Sequence, residues 1–260
     1  MLTKPDLECL SIELDGAIGR LWLDRPDRLN ALSLQVLQEL TTAAHWLDQQ
    51  PELRVVIVGG RGRAFSAGAD LTGFPTLEDP ELLAAADAGR RMADAIENMQ
   101  ALTIARVQGW CVGGGVVLAA ACDLRVATED ARFSIPEIDL GIPLAWGGIE
   151  RLVREIGPAL TKELVITCRE FGPEEAKSAG FLNRVVSENA LDDTIDALAN
   201  SIAAKPRLAV AATKRHTNAV TTQMVGLPGT WSDADGLVTG LLDSECQAAR
   251  NAYLKSRLGK

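Results

Sequence analysis

Two short segments of this chain combine glycine, small residues and a change from strand-like to helix-like pattern. One is Arg63-Ala64-Phe65-Ser66-Ala67-Gly68-Ala69-Asp70-Leu71. The other is Gly109-Trp110-Cys111-Val112-Gly113-Gly114-Gly115-Val116-Val117. The triple glycine follows a predicted strand, Thr103 to Val107, and opens an apolar stretch that reads as a helix through Cys122. Glycine lets backbone N–H groups approach a ligand closely. The first N–H groups of a helix have no partner inside it and carry the positive end of its dipole. Donors of that kind suit an oxygen that gains negative charge during a reaction. Tight helix–strand packing would also call for glycine here, and three glycines alone suit both readings equally well.

The remaining chemistry-bearing residues narrow the choice. The chain has only two histidines, His45 and His216, and neither neighbourhood suggests a nucleophile–histidine–carboxylate arrangement, so a general base would be a carboxylate. Gly60-x-Gly62 follows a strand-like run, but Phe65 stands where a dinucleotide fingerprint has its third glycine, and no phosphate-loop motif occurs. The five cysteines contain no C-x-x-C pair and are odd in number, which reads as free thiols in a reducing compartment, with no metal centre.

Bulk properties set the frame for those residues. With 260 residues, 47% apolar and 23% charged, the chain is long enough for a sizeable core, and with only 4% aromatics that core must be built mainly of Leu, Val, Ile and Ala. A net charge of −9 argues against a nucleic-acid partner. No apolar run is long enough to span a membrane, and Met1 to Leu10, with Asp6 and Glu8, does not read as a leader. The expected location is the cytoplasm.

Elements alternate along the chain. Cys9 to Leu23 reads as a hairpin turning at Asp15-Gly16. A helix is predicted after Ser33, with Leu34, Leu37, Leu40, Ala44 and Leu47 on one stripe. Val55 to Val58 reads as a buried strand, and a glycine loop follows it. Asp79-Pro80 predicts the start of a helix reaching about Met99. Leu124 to Ala127 and Arg132 to Ile135 are short strand candidates. From Gly147 onward the pattern is helical, with breaks at Gly172-Pro173, Lys205-Pro206 and Gly226 to Gly229 and a last helix from about Ser232. Together these predict an α/β core over residues 1–194 and a C-terminal helical region over 195–260.

The motifs taken together resemble the enoyl-CoA hydratase/isomerase, or crotonase, family. The matching stretches are Arg25-Pro26 with Asn30-Ala31-Leu32, Ala64 to Leu71, Ala105-x-Val107-x-Gly109 with Val112 to Gly115, Cys122-Asp123, Phe133-x-x-Pro136-Glu137 with Leu140-Gly141, Gly147-Gly148 with Arg151-Leu152, and Ala176, Gly180 and Val185-Val186. They fall in order from about residue 10 to 215. The resemblance implies a spiral of ββα units with a C-terminal helical region, a homotrimer or dimer of trimers, and an acyl-CoA thioester as substrate. No separate cofactor is implied, since coenzyme A is part of the substrate. It places the oxyanion donors at the N–H groups of Ala69 and Gly114 and the catalytic carboxylate at Glu137. It lays the nucleotide and pantetheine path along Ala67, Ala69, Asp70, Leu71 and Thr72. Arg25, Arg28, Arg61 and Arg63 flank these motifs and are candidates for the coenzyme A phosphates.

The chain departs from the family's hydratases at one chemically decisive position. Where they carry a second glutamate, one turn into the helix after the triple glycine, this chain has Val117. Hydration needs water activated at C3 and a proton supplied at C2, whereas moving a double bond from C3 to C2 can use one carboxylate. The resemblance therefore implies an isomerase with Glu137 as its base. The alternatives are a hydratase with a substitute acid at Asp139, Glu150 or Asp70, a decarboxylase, hydrolase or other reaction of the family, or an acyl-CoA-binding homologue without activity. Asp139 would share a face with Glu137 if the segment were extended. Asp123 is expected to anchor a loop. Leu144 and Trp146 replace small residues of the family's glycine-rich segment, and either reshape the acyl site or simply pack in the core.

Overall fold

The computed structural model describes residues 3–71, 82–225 and 233–258. The hairpin is present: β1 (Leu10–Asp15) pairs antiparallel with β2 (Ile18–Leu23). Ser33 caps α1 (Leu34–Asp48), its hydroxyl accepting the Val36 N–H, and α1 buries Leu37, Leu40, Ala44 and Leu47 of the predicted stripe, while Leu34, in its first turn, is exposed. Next come β3 (Val55–Gly60), β4 (Ala64–Ser66), α2 (Leu82–Glu97), β5 (Leu102–Val107), β6 (Trp110–Val112), α3 (Gly114–Ala121), β7 (Leu124–Thr128), β8 (Arg132–Ser134) and α4 (Gly148–Thr167). The chain continues through α5 (Pro173–Ser178), β9 (Arg184–Val186), α6 (Leu191–Ala203), α7 (Arg207–Val225), α8 (Asp233–Leu242) and α9 (Ser244–Leu258).

After the hairpin, the successive strand pairs β3/β4, β5/β6 and β7/β8 each divide between two sheets. One sheet has the order β1-β2-β3-β5-β7-β9, parallel beyond the hairpin, and the other has the order β4-β6-β8. Each pair is followed by a helix, so the chain winds as a spiral of ββα turns. Strand β3 is buried along its whole length, as expected where a parallel sheet is covered on both faces. Val56 and Val58 enter the main core, while Val55 and Ile57 join Ile104 and Val126 against Leu191, Ile195 and Ala199 of α6. Residue 195, the expected start of the C-terminal region, therefore lies within a helix that covers the sheet.

Three short strands, β4, β6 and β9, were not predicted. Each has three residues, too few to display a period, and each is recognisable only through its distant partner. The single helix expected after Ser232 is two helices, α8 and α9, that meet at Asp243. The predicted helix start at Asp79-Pro80 and the loop at Gly226 to Gly229 lie outside the described residues. Among the described residues no helix is long and apolar enough to cross a membrane.

Two polar hubs hold the spiral in register. Asp123, at the end of α3, accepts the Thr103 N–H at 2.7 Å and hydroxyl at 2.9 Å and pairs with the buried Lys214 of α7 at 2.7 Å. It anchors a loop, as the sequence suggested. Asn30 is buried, accepts the Arg25 N–H at 3.0 Å and donates to the carbonyls of Arg61 and Ala64. Its own carbonyl accepts the Ser66 hydroxyl at 2.8 Å. Replacing Asn30 by Ala would remove the side-chain partner of the part-buried Arg25 N–H and Arg61 carbonyl and of the buried Ala64 carbonyl, at roughly 1–3 kcal/mol for a fully buried group and less for the others. The expected outcome for Asn30→Ala is a loss of at least ~2 kcal/mol in urea-induced unfolding, with a near-wild-type midpoint contradicting this account.

Candidate active site

Helix α3 organises the site. Every one of its eight residues is buried, consistent with an all-apolar helix lying inside the protein. Its N-cap is Gly113, at φ 48°, which donates its N–H to the Ser134 carbonyl at 2.9 Å, while the Gly113 carbonyl accepts the Val117 N–H. Gly114 is the first helical residue, so its N–H has no partner within the helix.

The Ala64–Asp70 segment lies beside this helix start. Leu32 and Ala69 form an isolated parallel bridge in which the Leu32 N–H donates to Gly68 at 2.8 Å and the Asp70 N–H donates to Leu32 at 3.0 Å. Bridge geometry turns the N–H of Ala69 to the opposite side. A Cβ placed on Gly68 would lie 2.7 Å from the Val112 carbonyl oxygen and 3.7 Å from the Gly114 nitrogen. The two candidate donors, Ala69 and Gly114, are thus carried by adjoining pieces of backbone.

Glu137 comes to the same helix start. A Cβ on Gly113 would lie 2.4 Å from Glu137 Oε1, so only glycine leaves room for the carboxylate. Glu137 Oε2 is wholly buried and has no hydrogen-bond partner. Burial pushes the carboxyl up to about 7, offset only in part by its own backbone N–H. A carboxyl titrating near neutral pH is suited to taking and returning protons.

The other candidates fall elsewhere. Val117 is buried, and its Cγ2 would lie 2.9 Å from a Cβ on Gly148, close to Leu144. Asp139 does not share a face with Glu137: residues 137–142 form a turn, closed by Gly141 N–H to Ile138 and Ile142 N–H to Glu137, and Asp139 is exposed. Glu150 lies on the exposed side of α4 and turns toward Arg151 at 3.7 Å. Asp70 accepts from Arg25 at 3.1 Å, and that arginine also donates to the Ala31 carbonyl at 2.7 Å. Arg61 is paired with Glu13 and stacks on Trp22. Arg25 and Arg61 are therefore committed to internal contacts, whereas Arg28 and Arg63 are exposed. Ala67 is half-buried beside Ala69, Leu71 is exposed, and Thr72 lies outside the described residues.

A parallel ββα spiral thus brings the backbone of Ala69 and Gly114 and the Glu137 carboxyl to one helix start, and that fold and site define a member of the crotonase class. The family model for enoyl-CoA hydratase/isomerase matches residues 13–256, and the chain belongs to that family. It is 37% identical over 222 residues to a peroxisomal Delta(3,5)-Delta(2,4)-dienoyl-CoA isomerase of Arabidopsis thaliana, covering 80% of each chain. It is 34% identical over 212 residues to a crotonyl-CoA hydratase of Syntrophomonas wolfei, covering 81% of this chain and 82% of the other. An enoyl-CoA hydratase structure from Mycobacterium avium subsp. paratuberculosis superposes with a TM-score of 0.86 at 25% identity, over 97% of this chain and 98% of that one. The crotonase fold and membership of a family of acyl-CoA-processing enzymes follow.

Glu137 also leaves a thermodynamic signature. Its folded-state value lies above that of an unfolded carboxyl, so between about 4.5 and 7 the folded protein holds the extra proton. Its contribution to stability is full below about 4.5 and is lost as pH rises through 7. Glu137→Gln removes this dependence. The expected outcome is that the unfolding free energy of the variant gains on wild type between pH 5 and pH 8, by up to about 3 kcal/mol. A pH-independent difference in urea titrations would show that the carboxyl has an ordinary affinity for protons.

Proposed function

We propose that this protein shifts the double bond of a 3-enoyl-CoA to give the 2-enoyl-CoA, with Glu137 as its single acid/base group. The observation that carries the reading is the buried Glu137 Oε2 beside Gly113, which has no hydrogen-bond partner, with Val117 where a second carboxylate would have to stand. The thioester carbonyl oxygen accepts from the Ala69 and Gly114 N–H groups. Glu137 removes a proton from C2, and the C–H electron pair delocalises onto that oxygen and toward C4. The same carboxyl then returns the proton to C4, which leaves the double bond between C2 and C3. Charge grows on the oxygen as C2 is deprotonated, so the two donors favour the transition state over the ground state, and loss of one such donor typically costs ~3 kcal/mol.

Ala67, Asp70 and Leu71 would flank the coenzyme A path, with exposed Arg28 available to its phosphates. A cytoplasmic homotrimer or dimer of trimers belongs to the same reading, supported by the exposed apolar side chains Leu208, Met224 and Leu242 on the C-terminal helices. Hydration is the second reading, favoured by relatives named as hydratases. It requires a second acid, and among the described residues none of Asp70, Asp139 and Glu150 is aimed at Glu137.

Incubation with 3-enoyl-CoA and 2-enoyl-CoA separates the readings. The expected result is conversion of the 3-enoyl ester, with no 3-hydroxyacyl-CoA formed at enzymatic rates. Ordinary hydration rates would overturn the isomerase assignment. Because the base must be deprotonated, kcat/KM should fall about tenfold per unit below pH 7 and level off above it. Glu137→Gln should lower kcat by at least a hundredfold, a conservative figure for removal of the only proton carrier.

A further inference from the structure

The indole of Trp146 occupies the gap between α2 and α3, directly on the helix start that carries the Gly114 donor. A Cβ on Gly89 of α2 would lie 2.0 Å from the ring's Cδ2, and a Cβ on Gly114 would lie 2.1 Å from its Cζ3. The ring therefore rests on the bare backbone of both helices. Trp146 is itself in the left-handed region, at φ 62°, followed by Gly147 at φ 68°. That conformation is unfavourable for a bulky side chain and persists only where the surroundings impose it.

The surroundings do so from two directions. Asp233 of α8 accepts the Gly147 N–H at 2.5 Å. Arg151, buried on α4, donates to the carbonyls of Trp146 at 3.4 Å and Gly147 at 3.2 Å. Arg151 is tied in turn to Asp94 at 2.9 Å and Glu97 at 2.5 Å, both on α2. The turn that carries the indole is thus braced by α2, α4 and α8. Leu144 and Val117 extend the apolar surface, both within 2.9 Å of the Cβ position of Gly148. Trp146 itself is partly buried and packs against the main core.

We propose that Trp146 is the specificity-determining wall of the acyl site and restricts the protein to short acyl chains. The inference rests on the acyl-CoA reading above. A thioester whose oxygen sits at Gly114 meets the indole beside its first acyl carbons, and the space between α2 and α3 that a longer tail would enter is filled. Burying one more methylene normally improves binding about fourfold. A rigid wall withholds that gain and adds the cost of displacing a braced ring.

Affinity for saturated acyl-CoA esters tests the proposal without relying on any particular reaction. Butyryl-, octanoyl- and dodecanoyl-CoA are titrated calorimetrically into the full-length wild type, Trp146→Phe and Trp146→Ala. Wild type should bind butyryl-CoA best and octanoyl-CoA at least tenfold more weakly. Trp146→Ala should reverse that order, and Trp146→Phe should fall between. Identical chain-length profiles in all three proteins, with binding intact, would overturn the wall and leave the acyl-CoA reading standing. No binding of any ester to wild type would overturn both. Should the alanine variant unfold, the comparison of wild type with Trp146→Phe decides the question alone.

Discussion

A carboxyl with one oxygen buried and left without a hydrogen-bond partner is the constraint around which this protein is arranged. Glu137 has nothing to offset the loss of water at Oε2, and its affinity for protons rises accordingly. Such a group is costly to stability at neutral pH, so the fold must hold it firmly. The turn through residues 137–142 fixes its backbone, and Gly113 supplies the space that any other residue would fill. The same glycine caps the apolar helix whose first free N–H belongs to Gly114. One local arrangement therefore positions both the Glu137 carboxyl and the Gly114 N–H.

The charged residues of the chain are handled differently. Arg151 and Arg154 are paired with Glu97, Arg125 with Glu155, and Lys214 with Asp123. These pairs sit where helices meet sheets or one another, and each charge has a partner. Breaking such a buried pair is far more damaging than never having built it. Glu137 stands in contrast: among buried side-chain carboxylate oxygens of the described residues, its Oε2 alone has no hydrogen-bond partner.

Much of the architecture was readable from local pattern. The hairpin at Asp15-Gly16, the Ser33 cap, the run Val55 to Val58 and the helix after the triple glycine all declare themselves within a dozen residues. Strands β4, β6 and β9 do not, because three residues carry no period and their partners come from remote parts of the chain. At the site, the motif resemblance brought Ala69, Gly114 and Glu137 to notice, and all three meet around the start of α3. Spacing misled at Asp139, where a turn replaced the extended segment that would have aimed it beside Glu137. The commitment of Arg25 to Asp70, and the seating of Trp146 on Gly89, depend on residues far apart in sequence and have no local signal at all.

A single carboxylate that takes a proton from C2 and gives it back at C4 makes a demand that no two-acid mechanism shares. If 3-enoyl-CoA carrying deuterium at C2 is converted in ordinary water, Glu137 should deliver part of that deuterium to C4 of the 2-enoyl product, because a proton held on its buried Oε2 exchanges slowly with solvent. Mass spectrometry of the product gives the fraction transferred. Measurable deuterium at C4, lost in Glu137→Gln together with turnover, is the result this account requires. Complete washout of the label during turnover, with oxygen from water appearing at C3, would contradict it.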